Sequence, residues 1–147
     1  MHSAQSEHST HIRPATPADL DAIKVIADAN RAHLGFVLRP ALAEGLARGW
    51  LYVATRQATL IGFVHFRVRR DGWVTIYEIC TAEAFRCQGV GRALLTATYA
   101  LAQAQRGLRL KCPVGSTANQ FYAELGLCRV GEEQGKRRAL AVWQWGK

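Results

Sequence analysis

The sequence predicts one α/β (α+β) domain with elements in the order β-α-α-β-β-β-α-β-α-β-β. Three observations carry that expectation. At 147 residues the chain has the length of a single domain that can bury a real core. Its apolar residues switch repeatedly between helical spacing and strand alternation. The stretch from Glu78 to Leu95, EICTAEAFRCQGVGRALL, reads as a strand, a glycine-bearing turn and the opening of a helix.

Taken in order, Ile12-Arg13 begins a first strand. Thr16-Pro17-Ala18-Asp19 then starts a helix, with Thr as N-cap, Pro at the first helical position and an acid in the first turn. Leu20, Ile23, Ile26 and Ala27 give that helix one apolar face, as far as about Asn30. Residues 31–39 read as a loop, and 41–48 as a second helix that ends at Gly49. Strands follow at 50–55 and 60–69, with Val64, Phe66 and Val68 on one face of the second. His65, Arg67 and Arg69 take the other face; His65 is a candidate base there, though the stronger expectation is that it meets water or a loop. Asp71-Gly72 is a hairpin turn into the strand Trp73 to Thr81.

The next helix opens at about Val90. It carries Val90, Leu94 and Leu101 on a stripe flanked by Ala93, Ala97, Ala100 and Ala104, and Gly107 ends it. A short strand spans 108–112. A helix spans 118–125, capped by Ser116 or Thr117 and stopped by Gly126. Strands at 127–130 and 137–145, joined by a turn, close the chain.

Composition narrows the class. Hydrophobic residues make up 49% and mean hydropathy is −0.06, which suits a globular chain. No apolar run approaches the ~20 residues of a membrane span. Residues 1–10 are expected to form a flexible polar tail ahead of a single domain over 11–147. That tail lacks the apolar core of a signal peptide, so the expected location is cytoplasmic. Net charge is +8, which favours anionic partners without identifying one. The clusters Arg67/Arg69/Arg70 and Lys136/Arg137/Arg138 fall at strand ends or turns and read as solvated. The four cysteines have no CxxC spacing and no His partners, so no metal is expected. Cys80, Cys112 and Cys128 are expected as buried thiols.

The turn Arg86-Cys87-Gln88-Gly89-Val90-Gly91-Arg92 is the chemically informative part. Its glycines allow close backbone approach, and the helix end behind it supplies orphan N–H groups and a positive dipole end. Together these make a phosphate site. A Walker A loop would require Gly-x-x-x-x-Gly-Lys-Ser/Thr, which is absent. A dinucleotide fingerprint would require a third glycine.

Arg86, Gly89 and Gly91 instead resemble the acyl-CoA signature of the GCN5-related N-acetyltransferases (GNAT family), Gln/Arg-x-x-Gly-x-Gly/Ala. Asn119-Gln120-Phe121-Tyr122-Ala123-Glu124-Leu125-Gly126-Leu127 is similar to that family's Tyr-x-x-Leu-Gly-Phe segment, with Leu127 in place of Phe. The resemblance extends over residues 11–145 and implies a mixed central sheet with helices on both faces. It also implies acetyl-CoA as co-substrate and an amine acceptor, either a small molecule or a protein. The two helices before residue 49 would shape the acceptor pocket.

Residue by residue, the resemblance puts the backbone of Ile79, Cys80 and Thr81 beside the pantetheine arm, at a bulge in the strand. It gives the N–H groups of Cys87, Gln88, Gly89, Val90, Gly91 and Arg92 to the pyrophosphate, with Arg86 and Arg92 adding charge. Tyr122 matches the family's general acid. Glu78 is the candidate base, since an unpaired carboxylate among apolar strand neighbours would be costly to bury. A water ordered by Tyr77 is the competing arrangement. Cys87 stands where glycine is common, and Gly115 where many members carry a CoA-binding Asn. Asn119 either substitutes for that Asn or caps its helix.

Two other classes stay open: a CoA-binding regulatory module without turnover, and a basic nucleic-acid-binding domain. The latter leaves the glycine turn unexplained, so nucleic acid is not the expected partner. A homodimer through the C-terminal strands would use Trp143 and Trp145.

Overall fold

The computed structural model describes residues 9–102 and 105–146. Within these, the chain forms two compact units: residues 9–66 with 78–97, and residues 67–77 with 98–102 and 105–146.

In the first unit, β1 (His11–Pro14) pairs antiparallel with β2 (Leu51–Arg56), and β2 pairs antiparallel with β3 (Thr59–Val68). A 3-10 turn at Pro17–Asp19 leads into α1 (Leu20–Ala29). The short helix α2 (Arg31–Leu34) lies where the sequence suggested only a loop, and α3 spans Arg39–Arg48. Gly49 ends α3 in the left-handed conformation, as its position predicts.

Ile23, Ile26 and Ala27 of α1 and Leu42 of α3 are buried with Leu51, Val53, Phe63 and Cys80. Each large side chain in that cluster contributes about 1.5–3 kcal/mol by leaving water. The opposite face of β3 receives α4 (Val90–Ala102) at Gly62. A Cβ there would stand 2.9 Å from the Cys80 carbonyl oxygen and 3.1 Å from Val90. The glycine is what lets the helix seat so close.

The entry to α1 is tied by charge. Arg13 lies 2.7 and 3.0 Å from the two Asp19 carboxylate oxygens, and Asp19 also accepts the Thr16 N–H at 2.7 Å. The Arg13 hydrogen bond, reinforced by Thr16 and opposed by burial, holds the Asp19 carboxyl down at about 2. Its folded value lies below the unfolded one, roughly 3.9. The stabilisation is therefore complete above about pH 4 and is lost as pH falls toward 2. Asp19→Asn should cost about 1 kcal/mol at neutral pH, because partial exposure screens the pair. Denaturant titrations of both proteins should converge near pH 2; a gap unchanged between pH 7 and 2 would remove the pair from the account.

In the second unit, the first part of β4 (Trp73–Thr81), as far as Tyr77, pairs in parallel with β5 (Gly107–Pro113) from Trp73/Gly107 to Ile76/Leu110. β5 pairs antiparallel with β7 (Ala139–Gly146), and β7 with β6 (Cys128–Gln134). The last helix, α5 (Ala118–Leu125), has the predicted limits. It is opened by Ser116 Oγ, which accepts the Ala118 N–H at 3.1 Å. The whole sheet has the order β1-β2-β3-β4-β5-β7-β6. It is a mixed sheet.

Several expectations need correction. Gly107 begins β5 rather than ending α4, and Ala104 lies outside the described residues. β6 runs to Gln134, through much of the turn expected at 131–136, with a register shift between Arg129 and Gly131. Every residue of β6 is exposed, Cys128 included, so that thiol is not buried. Trp143 is buried, and Trp145 stacks on Tyr99 with ring centroids 4.4 Å apart. Trp143 is thus packed inside its own unit. Of the described residues 9 and 10 of the expected tail, Thr10 accepts a hydrogen bond from Arg56.

Candidate functional site

After β4, a 3-10 turn at Glu83–Phe85 delivers the chain to the glycine turn. Cys87 has φ +62° and Gly89 φ +84°, two left-handed residues on either side of Gln88. For Cys87 that conformation costs about 1–2 kcal/mol. The position explains why glycine suits it. A Cβ on Gly89 would meet nothing within 4 Å, so the backbone there is open to a ligand. Ala93 N–H bonds to Gly89 O at 3.0 Å, which starts the α4 ladder at Gly89. The N–H groups before Ala93 therefore belong to the helix's orphan first turn, where an anion is favoured. Arg92 is exposed on that turn.

The side chains around the turn have work within the fold. Arg86 donates to Asn30, a buried residue at the end of α1 whose own amide donates to Ile26 O at 2.8 Å. Gln88 Oε1 accepts from Arg56 at 2.6 Å, and the Arg56 guanidinium lies over the Phe85 ring at 5.6 Å. Arg86 thus ties the turn to α1, and Arg56 brings an additional cation to it. Neither Arg56 nor Asn30 carries a local signal, because their partners lie 32 and 56 residues away along the chain.

Ile79, Cys80 and Thr81 lie beyond Ile76, the last β4 residue in the parallel ladder. The backbone of Ile79 to Thr81 therefore lies past the point where β4 leaves its printed pairing with β5. Cys80 is buried, and its thiol is pushed up to about 11 by that burial against a smaller opposing effect of Arg86. It is no nucleophile at neutral pH.

Glu78 is partly buried, and its Oε1 lies 2.8 Å from His65 Nδ1. With its proton on Nδ1 the ring would donate to that oxygen, since a carboxylate oxygen accepts. His65 is 7% exposed. It therefore does not face water, as β3 alternation alone suggested; its face of the strand is covered. Tyr77, the alternative water-orienting residue, is 46% exposed.

In the second unit, Tyr122 is buried on α5, with ring centroids 5.4 Å from Phe121 and 6.2 Å from Trp143. Burial, with a smaller effect of Cys112, raises the phenol well above its ordinary value. It stays protonated at neutral pH and keeps a proton to give. Asn119 Nδ2 lies within 2.8–3.1 Å of the carbonyls of Pro113, Val114 and Ser116, while Oδ1 accepts from Trp143 Nε1 at 2.8 Å. Its amide organises the loop before α5.

Residues 47–126, more than half of the chain, match the family model described as an acetyltransferase (GNAT) domain. The chain belongs to the GNAT acetyltransferase family. No curated protein matches the sequence significantly. Solved structures share the fold at low identity. Ard1 from Thermoplasma volcanium is 19% identical, with TM-score 0.81 over 92% of this chain and 96% of its own. The ribosomal-protein-S18-alanine N-acetyltransferase from Escherichia coli is 18% identical, with TM-score 0.78 over 92% of each chain. A Bacillus anthracis protein proposed as a streptothricin acetyltransferase, in complex with acetyl coenzyme A, is 19% identical. Its TM-score is 0.78 over 95% of this chain and all of its own.

GNAT enzymes use acetyl-CoA as co-substrate, and the open Gly89 backbone at the α4 N-terminus fits a polyphosphate of that kind. Among the described residues, no group of His, Cys, Asp and Glu could hold a metal, and no helix is long and apolar enough to cross a membrane.

Proposed function

We propose that this GNAT protein transfers the acetyl group of acetyl-CoA to an amine by direct attack, without an acetylated enzyme. The observation that carries the reading is the left-handed Cys87–Gly89 turn, open at Gly89, at the N-terminus of α4. In this reading the N–H groups of Cys87 to Arg92 hold the pyrophosphate, with Arg92 adding charge. The backbone of Ile79 to Thr81 hydrogen-bonds the pantetheine amides. Acetyl-CoA, when bound, supplies an acyl carbon activated by a thiolate leaving group.

The chain's own residues handle the protons. Glu78 takes a proton from the acceptor nitrogen, so that the lone pair is free as the C–N bond forms. Tyr122 gives its phenolic proton to the sulfur as the C–S bond breaks. The proton on Glu78 later returns to Tyr122 through solvent, and both groups end as they began. The raised Tyr122 phenol supports the donor role, because a group ionised beforehand would have nothing to give.

We take the acceptor to be a primary amine, on a protein N-terminus or a small molecule. Fold relatives of both kinds support that breadth. Four free cysteines suit a reducing compartment, so the reading puts the protein in the cytoplasm.

The test is acetyl transfer followed by mass spectrometry and thiol release, against peptides with varied N-termini and a panel of small amines. Wild type should acetylate at least one acceptor, and Glu78→Gln should lower that turnover number about a hundredfold. Tight acetyl-CoA binding with no transfer to any amine would favour the regulatory-module reading.

A further inference from the structure

We propose that His65 is a positioning residue for the base: its buried ring grips one Glu78 carboxylate oxygen and leaves the other to the acceptor amine. The inference rests on the reading of Glu78 as base and names a residue which that reading did not include.

Three observations converge on it. His65 Nδ1 and Glu78 Oε1 lie 2.8 Å apart, and the side chains are 8% and 20% exposed respectively. The imidazole is thus the inner member and the carboxylate the outer one. Behind the ring stands Gly45, in the interior of α3. A Cβ on Gly45 would come 2.6 Å from His65 Nε2 and 2.8 Å from Cδ2. Glycine weakens a helix interior, so its presence there needs a packing reason, and the ring supplies one. Helix α3 therefore bounds the ring on one side while Glu78 bounds it on another. The chemistry fits the geometry. An imidazole N–H orients a carboxylate through one directed hydrogen bond, where a guanidinium would offer a fork of donors to both oxygens. The ring nitrogen that lies against Gly45 is distinct from the one that holds Glu78.

A buried pair of this kind could also serve only the fold, and the test separates the two roles. His65→Ala removes the donor. His65→Asn returns an amide N–H near the place of Nδ1. Measured with the acceptor identified for wild type, His65→Ala should lower the turnover number about ten- to fiftyfold, with acetyl-CoA Kd and acceptor KM within about twofold. His65→Asn should recover most of the loss. In the Glu78→Gln background, His65→Ala should add little, because the group it positions is already gone. The imidazole 15N spectrum should give a protonated Nδ1 in wild type, with its shift altered in Glu78→Gln.

Should His65→Ala fail to fold, Gly45→Ala takes its place: its methyl presses on the ring and should lower turnover with binding intact. Unchanged turnover in folded His65→Ala or Gly45→Ala would overturn the inference. So would a His65→Ala loss that adds fully to that of Glu78→Gln, no rescue by Asn, or an unprotonated Nδ1. Those results would leave Glu78 as base untouched. If Glu78→Gln itself turns over normally, the reading of Glu78 as base fails first, and this inference with it.

Discussion

Tyr122→Phe should lower the turnover number about a hundredfold while acetyl-CoA affinity stays within about a factor of two. The substitution deletes one oxygen and keeps the ring that packs beside Phe121 and Trp143. The fold should therefore survive it, as circular dichroism and thermal melting would verify. What disappears is the phenolic proton, which Tyr122 carries at neutral pH. If that proton reaches the departing sulfur, its loss appears in the transition state and not in the bound ground state. Steady-state kinetics beside calorimetry make the comparison. Equal losses in turnover and affinity would mean that Tyr122 only shapes the site, and no loss would remove it from the chemistry.

Much of the fold was legible because local signals agreed. The α5 limits follow from a Ser116 cap and a Gly126 stop, and Val90 opens α4 because the turn before it is spelled by glycines. Where two signals competed, reading failed. Gly107 looks like a helix stop, yet the residue belongs to a strand paired with β4. Gly131 looks like turn chemistry, yet it sits at a register shift inside β6. Single glycines mark both stops and irregular strand positions, and only pairing decides between them.

The site divides in the same way. The glycine turn is contiguous, so its residues could be named from sequence, and the positive φ at Cys87 and Gly89 gives the physical reason for its pattern. The Glu78–His65 pair is not contiguous. Strand alternation placed each side chain on a face of its own strand but could not say what covered that face. Gly45, which lies against the imidazole, is twenty residues before His65 on a helix with no visible link to it. By residue type and position, the side chains of Arg86 and Asn119 suggest ligand contacts or, for Asn119, a cap. Both are held by internal partners, Asn30 for the first and the loop carbonyls with Trp143 for the second. A polar residue in a motif can serve the loop that presents the ligand site, and the motif alone does not separate these uses.

The second large effect is expected at Gly89, and it bears on the central claim that this turn binds acetyl-CoA. A glutamate there would put a negative side chain in the open space at the α4 N-terminus, where the reading has the pyrophosphate. It would also force an L-residue to φ +84°, which costs about 1–2 kcal/mol, a strain that Cys87 already bears nearby. The variant should therefore fold, with a lower melting temperature, but bind acetyl-CoA at least a hundredfold more weakly. Isothermal titration of acetyl-CoA into wild type and Gly89→Glu is the measurement to make first, with circular dichroism on both. The account predicts micromolar binding by wild type that is lost in the folded variant. Absence of binding by folded wild type, or equal affinity in the two proteins, would contradict it.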